Sequence, residues 1–188
     1  MQINAREFFT AIHGLLFGGF FVLASFGLLV ESIRSIYAIE TSELTGVGRS
    51  LATLYLVATV VLGWAAVLAG TYVVYPWYRA VPPIGVSDLT KFPRSLLLAN
   101  SATSGWHNFG MEWKEYVAWL APIAITMVAY LLTKQRLAVK RYPQIRKAVL
   151  IFALIAFGAA GVAAFFGAMI NKHAPVTGGP EIHLSGER

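Results

Sequence analysis

The chain contains no cysteine among its 188 residues. Without thiolates it can form no disulfide, no Cys-ligated iron–sulfur cluster and no covalent haem attachment through C-x-x-C-H. It also lacks the G-x-S-x-G nucleophile elbow of hydrolases and the G-x-x-x-x-G-K-[ST] phosphate loop. Any cofactor must therefore be held by histidine, methionine, carboxylates or packing alone.

Charged residues are also scarce, at 13% of the chain, whereas 57% of the residues are hydrophobic. Soluble proteins average about 45–50% apolar and about 25% charged residues. The net charge is +6, but six of the basic residues crowd one short segment. Such a cluster beside a membrane helix is typical of a topology signal or a contact with anionic lipid, so we expect no nucleic-acid partner. The cluster comprises Lys134, Arg136, Lys140, Arg141, Arg146 and Lys147.

What the chain has in abundance is apolar sequence in four long segments. These are Thr10–Glu31, Ser50–Tyr75, Glu115–Thr133 and Lys147–Ile170. Each is long enough to cross ~30 Å of hydrocarbon at about 1.5 Å per residue. The sequence therefore predicts an all-α integral membrane protein, a four-transmembrane-helix up-and-down bundle with a long, partly helical loop between helices 2 and 3. In its number of helices this topology resembles the four-helix membrane cytochromes b.

The predicted helices form a single membrane domain over residues 1–173, and a polar C-terminal tail follows at 174–188. Asn4, with Glu7 three residues later, has the pattern of a capping box at the start of the first helix. Pro122 predicts a kink in the third helix, and the tail is expected to be poorly ordered unless a partner holds it. The predicted helices lie at about 5–31, 50–75, 105–133 and 145–171.

Four crossings would place both termini and the 76–114 loop on one membrane face, and the two shorter loops on the other. Lysine and arginine are nearly equal in number on the two faces, but they are densest beside helix ends in the 134–147 loop. Because positive residues near helix ends favour the cytoplasmic side, we predict that this loop is cytoplasmic. The termini and the 76–114 loop would then lie on the opposite face of a bacterial inner membrane.

Three histidines, His13, His107 and His173, fall on the same face in this topology. An imidazole in hydrocarbon is costly and tends to pair, to ligate or to face a polar interior. They are candidate axial ligands of a b-type haem, with Met111 as an alternative thioether ligand. A chlorophyll-type pigment held by one histidine would use the same residues, and an interfacial, hydrogen-bonded role is the alternative for each. The expected depths of His13 and His107 differ by about one helical turn or more, which disfavours a shared haem.

A quinone pocket at the same face is a second hypothesis, because a quinone needs an apolar cleft with a group that exchanges protons. The alternative is an ordinary belt of aromatic residues at the membrane interface. Glu112 and Glu115, on either side of Lys114, are expected to form a solvated cluster at a helix start, so we predict no metal beyond a possible haem iron. The candidate pocket residues are Trp106, Trp113, Glu115 and Tyr116.

The function expected from these features is that of a small membrane subunit in a larger electron-transfer complex, respiratory or photosynthetic. It would contribute to a haem b or quinone site, would not be catalytic alone, and would have other membrane subunits and lipids as partners. Stripes of small residues on the helices also suit a membrane anchor or assembly subunit without a cofactor. A small transporter or channel is the third alternative, and the lack of charged residues within helices 2 to 4 disfavours it.

Overall fold

The computed structural model of the protein describes residues 2–37 and 46–183. This part of the chain is predominantly helical, and it contains four helices long and apolar enough to span a membrane, which confirms that prediction. Two three-residue strands pair antiparallel near the termini, and the sequence does not predict them. In chain order the elements are β1 (Gln2–Asn4), α1 (Ala5–Ile36), α2 (Gly46–Tyr78), α3 (Pro93–Leu98), α4 (Ser101–Lys134), α5 (Arg136–Arg141), α6 (Pro143–His173) and β2 (Glu181–His183).

The four long helices extend beyond the apolar segments that predict them. Each has between 31 and 34 residues, a length of about 46–51 Å at 1.5 Å per residue, which exceeds the ~30 Å of hydrocarbon. The capping box at the start of α1 is present: the Glu7 amide donates to Asn4 Oδ1 at 2.9 Å, and the Asn4 amide donates to Glu7 Oε2 at 3.4 Å. α4 begins at Ser101, earlier than predicted, because Asn100 Oδ1 accepts from the Ala102 amide as an N-cap.

Aromatic contacts join four helix ends at one end of the molecule. They bring together the beginning of α1 with the end of α2, the end of α2 with the beginning of α4, and the beginning of α4 with the end of α6. The distances between ring centres are 6.2 Å for Phe9 and Trp77, 5.8 Å for Tyr78 and His107, and 6.1 Å for Trp106 and His173. We call this region the aromatic end.

The tightly packed core lies in the half of the molecule away from the aromatic end. There Ala153 and Ala156 of α6 are fully buried, in one cluster with Ile125 and Val128 of α4. Small residues let helix backbones approach closely where both protein and lipid are apolar. Ser25 of α1 is also fully buried, and its hydroxyl donates to the Val22 carbonyl at 3.0 Å, so it brings no unpaired polar atom into the core.

Three of the four long helices contain π-helical stretches, in which backbone bonds span five residues instead of four. Pro76 and Pro122 each follow such a stretch by a few residues. Proline lacks an N–H group and clashes with the carbonyl four residues earlier, and the preceding turn widens to accommodate it. The disturbance predicted at Pro122 is thus a wide turn before the proline, in which the Ala118 amide donates to the Trp113 carbonyl at 3.0 Å. The stretches are Ile12–Gly19, Gly70–Val74, Trp106–Met111 and Trp113–Val117.

The connection between α2 and α4 folds back on the aromatic end instead of extending away from it. Pro93 and Leu97 of α3 are buried, and Leu97 belongs to an apolar cluster with Tyr78 and Met111. Nearer the surface, the Thr90 amide and hydroxyl donate to the Asp88 carboxylate, and these bonds lower the pKa of Asp88.

Residues 174–183 return along the start of α1; the sequence predicts a tail that is poorly ordered unless a partner holds it. Ala174 and Val176 are buried, and backbone hydrogen bonds join Ala5 to Pro180 at 2.9 Å and Arg6 to Gly178 at 3.3 Å. The chain reverses at Gly178 and Gly179, whose φ angles of 94° and 92° favour glycine. Residues 184–188 of the predicted tail lie outside the described residues.

Candidate functional site

A cavity of about 1210 Å³ lies between the four long helices, on the side of the aromatic end. It exceeds the range of roughly 300–1,000 Å³ typical of sites for drug-sized ligands. Its walls are mostly glycine, alanine and aliphatic side chains, and residues 174–176 also line it. Each of the four π-helical stretches contributes at least one lining residue. Such wide turns occur frequently at functional sites, so the irregular backbone and the cavity point to the same region.

His13 of α1 lines this cavity with its ring held against α2. A Cβ on Gly70 would come within 2.7 Å of His13 Cε1, so the ring occupies space that only a glycine leaves free. The Ala66 carbonyl interacts with the imidazole, yet Nδ1 makes no well-formed hydrogen bond within the described residues. A buried nitrogen without a partner costs about 1–3 kcal/mol, and a ligand in the cavity would remove that cost.

Lys114 of α4 lines the same cavity. Its ammonium group lies against α6, where a Cβ on Gly167 would be 3.0 Å from Nζ. It makes no ion pair or hydrogen bond within residues 2–37 and 46–183, and it is close enough to His13 to act on the imidazole electrostatically. Lys114 lies about 20 Å along α4 from its start at 1.5 Å per residue. An unpaired cation at such depth is costly and by default marks a functional site.

Glu115 lines the cavity next to Lys114 and connects it to the surface. The Tyr75 hydroxyl of α2 donates to Glu115 Oε1 at 2.6 Å, and Arg79 Nη1 donates to the Tyr75 oxygen at 2.9 Å. The Arg79 guanidinium also lies over the Tyr75 ring, 5.4 Å from its centre. Arg79 is exposed, whereas Tyr75 and Glu115 are half-buried. A hydrogen-bonded chain therefore runs from the exposed end of α2 to a carboxylate in the cavity wall.

His107 lies behind a tyrosine of the cavity wall and does not line the cavity itself. The Tyr78 hydroxyl and His107 Nδ1 are hydrogen-bonded at 2.7 Å, and Tyr78 lines the cavity. Arg94 of α3 acts electrostatically on both groups, and its buried Nε makes no hydrogen bond within the described residues.

The sequence-predicted site residues divide into two groups in the structure. His13, Met111, Glu115 and Tyr116 line the cavity. The others lie outside the cavity lining: His107, His173, Trp106 and Trp113.

The second group, apart from His107, belongs to an aromatic seam between α4 and α6. The Trp106 ring stacks on His173, and its centre lies 6.4 Å from the centre of the Phe166 ring. The indole nitrogen of Trp113 donates to the Ala159 carbonyl at 3.2 Å. These contacts are packing between two helices.

The three histidines have separate partners. His13 packs on Gly70, His107 bonds to Tyr78, and His173 stacks on Trp106. Among the described residues, no hydrogen bond or ring contact joins two histidines. A haem ligated by two imidazoles needs both on one ring axis, an arrangement that these contacts do not favour.

His13 and Met111 are the predicted haem ligands that share the cavity wall. No group of three or more metal-ligating His, Asp or Glu side chains occurs in the described part of the chain.

Sequence reasoning missed Lys114, Tyr75 and Tyr78 as residues of the site. The sequence predicts a solvated cluster of Glu112 and Glu115 on either side of Lys114; Glu112 is exposed, whereas Glu115 and Lys114 line the cavity. The signal that could have found it is Asn100, an N-cap residue type followed by a small-polar turn. No family model, curated protein or solved structure matches the chain.

Proposed function

We propose that the chain is a small membrane subunit of a larger electron-transfer complex, respiratory or photosynthetic, and that its cavity binds a quinone. One observation carries the proposal: the ammonium of Lys114 and the imidazole of His13 face one apolar cavity, and His13 Nδ1 and Lys114 Nζ make no hydrogen bond within the described residues. Other membrane subunits and lipids would be its partners.

The chemistry of a quinone fits this lining. Its ring and tail are apolar, and its two carbonyl oxygens accept hydrogen bonds, so a site needs apolar walls with a few donors placed at the ends. Lys114 would donate a charge-assisted hydrogen bond to one oxygen. His13, in the tautomer that carries the proton on Nδ1, would donate a hydrogen bond to the other oxygen. A bound quinone would thereby give both groups the partner that the protein does not supply.

We propose further that the long helices cross a bacterial inner membrane as an up-and-down bundle with the 134–147 loop in the cytoplasm. The contacts at the aromatic end support this arrangement, because they join the beginnings of α1 and α4 to the ends of α2 and α6. At the other end, Lys134, Lys140, Arg141 and Lys147 are exposed and can contact anionic headgroups.

The test measures quinone binding by the purified full-length chain in mild detergent. Bound quinone is extracted from the native preparation and identified, and a short-chain ubiquinone or menaquinone analogue is titrated against tryptophan fluorescence, for which Trp119 of the cavity wall is a built-in reporter. Lys114→Met should weaken binding about 10- to 100-fold, since a hydrogen bond to a charged group contributes about 1.5–3 kcal/mol. His13→Ala should weaken it about tenfold.

The matched control is Lys134→Met, which removes an exposed lysine from the far end of α4 and should leave binding unchanged. Quinone affinity that is the same in wild type, Lys114→Met and His13→Ala would overturn the proposal. So would a chain that retains and binds no quinone and still assembles with other membrane proteins, which is the behaviour of an anchor subunit.

A haem b is the second candidate, favoured by the presence of His13 and Met111 in the same cavity wall. Haem would supply one-electron transfer there, and this chain would provide an imidazole and a thioether as ligands. A reduced-minus-oxidised visible spectrum distinguishes the two candidates. A b-type band that is lost in both His13→Ala and Met111→Leu would replace the quinone proposal by the haem.

A further inference from the structure

We propose that Glu115 is the group that passes protons between the quinone and the membrane surface, with Tyr75 and Arg79 holding it in place. This inference rests on the proposed function and adds to it a catalytic residue and a proton route. The geometry that points to it is the chain of two hydrogen bonds from exposed Arg79, through Tyr75, to a carboxylate that lines the cavity.

Glu115 is the carboxylate next to the quinone contacts proposed above. It follows Lys114 directly in sequence, both residues lie in the wide turns of Trp113–Val117, and both line the cavity. The other carboxylate of the cavity wall is Glu7, and its Oε2 accepts from the Asn4 amide in the capping box at the start of α1. Glu112 is exposed and does not line the cavity. Glu115 therefore combines access to the ligand with a hydrogen-bonded connection to the surface.

The hydrogen bonds of Glu115 place its carboxylate between the surface and the cavity. As a carboxylate it accepts the short bond from the Tyr75 hydroxyl, and Arg79 supports that hydroxyl from the surface side. Protonated Glu115 can donate to an acceptor in the cavity. Arginine keeps its own proton under all ordinary conditions, so Arg79 positions Tyr75 and does not carry the proton. Water at the exposed guanidinium is the expected source of protons.

Reduction of a quinone to a quinol adds two electrons and two protons. The electrons would come from one-electron carriers of the haem or iron–sulfur class in the partner subunits that the proposed function requires. Each proton would pass from the Glu115 carboxyl to a quinone oxygen, and the carboxylate would then regain a proton from surface water. Oxidation of the quinol reverses each transfer.

His107 is the competing proton carrier at this end of the molecule. It is connected to the cavity wall through Tyr78, and Arg94, Arg79, Glu112 and Glu115 all act on it electrostatically. Because His107 itself does not line the cavity, its proton would have to pass through the Tyr78 hydroxyl. Glu115 lines the cavity itself and needs no intermediate on the side of the ligand, and we assign the route to it for that reason.

The experiment is infrared difference spectroscopy of the full chain with a bound short-chain ubiquinone, which an electrode reduces and reoxidises. We expect a carboxyl C=O band in the reduced-minus-oxidised spectrum that shifts in D₂O and is lost in Glu115→Gln. The matched control Glu112→Gln removes an exposed carboxylate three residues away and should keep the band. Tyr75→Phe should shift the band without removing it, because the positioning hydroxyl is lost and the carboxyl is kept.

The rate of quinone reduction gives a second readout, since a positioned acid or base contributes typically 10²–10⁴-fold. Glu115→Gln should bind the ubiquinone with an affinity within about threefold of wild type and slow its reduction at least 100-fold. An unchanged band and rate in Glu115→Gln with normal binding, or loss of the band in His107→Gln alone, would overturn the proton route and leave the quinone site standing. Failure of every variant and of wild type to bind quinone would overturn both.

Discussion

The ammonium nitrogen of Lys114 lies against the backbone of Gly167, where a Cβ would come within 3.0 Å of it. No carboxylate approaches this cation within the described residues. Helix α6 thus makes room for the charge without neutralising it. A charge in a membrane interior is costly unless it has a partner. We therefore expect Lys114 to lower the stability of the ligand-free protein and to contribute to the binding of a ligand.

We expect Lys114→Met to stabilise the ligand-free protein. Methionine has a similar length and no charge to desolvate, so the gain should be about 2–3 kcal/mol, near the cost of a lysine at the centre of a membrane helix. The measurement is the thermal midpoint of the purified protein in detergent after removal of bound lipid-soluble ligands. Lys134→Met, at an exposed position, should change stability by less than about 0.5 kcal/mol. A lower midpoint for Lys114→Met would contradict the interpretation of Lys114 as a charge in the cavity wall without a partner.

Gly70→Ala should displace the His13 ring and weaken quinone binding about tenfold while leaving the helices intact. The added Cβ would lie 2.7 Å from His13 Cε1, and the imidazole can move because its position is set by side-chain rotation. Alanine also favours helix by about 1 kcal/mol relative to glycine, so helicity by circular dichroism should not fall. The matched control is Gly161→Ala in α6, which has open space around it. Equal affinities in the two variants would show that the position of His13 does not matter.

Val176→Asp should speed the release of bound quinone severalfold. Val176 is buried, and it lines the cavity together with Ala174 and Pro175. A carboxylate buried among apolar side chains is costly, so the segment should pack less tightly against the cavity. Release is measured by stopped-flow recovery of tryptophan fluorescence on dilution into lipid vesicles. Thr177→Asp, one residue further and outside the lining, is the control that should retain the wild-type rate.

The parts of the structure that follow from local sequence were predictable, and the site was not. Long apolar segments predict membrane helices directly. The capping box of α1 was predictable because its two residues lie within four positions of each other. The cavity depends instead on turns that depart from the 3.6-residue period. Lys114 and Glu115 lie in the wide turn before Pro122, and both line the cavity. Residues 174–183 pack along the start of α1. This contact joins segments far apart in sequence, so no local pattern predicts it.

The absence of cysteine makes the membrane orientation directly testable. Ile84, in the connection between α2 and α4, and Leu137, in α5, are both highly exposed, so Ile84→Cys and Leu137→Cys each introduce one accessible thiol into an otherwise thiol-free chain. If the 134–147 loop is cytoplasmic, a membrane-impermeant maleimide should label Ile84→Cys in intact spheroplasts, and Leu137→Cys only after the membrane is opened. The reverse pattern would invert the proposed orientation. Labelling of both positions in intact spheroplasts would mean that no membrane separates the two loops, which would contradict the four-crossing bundle itself.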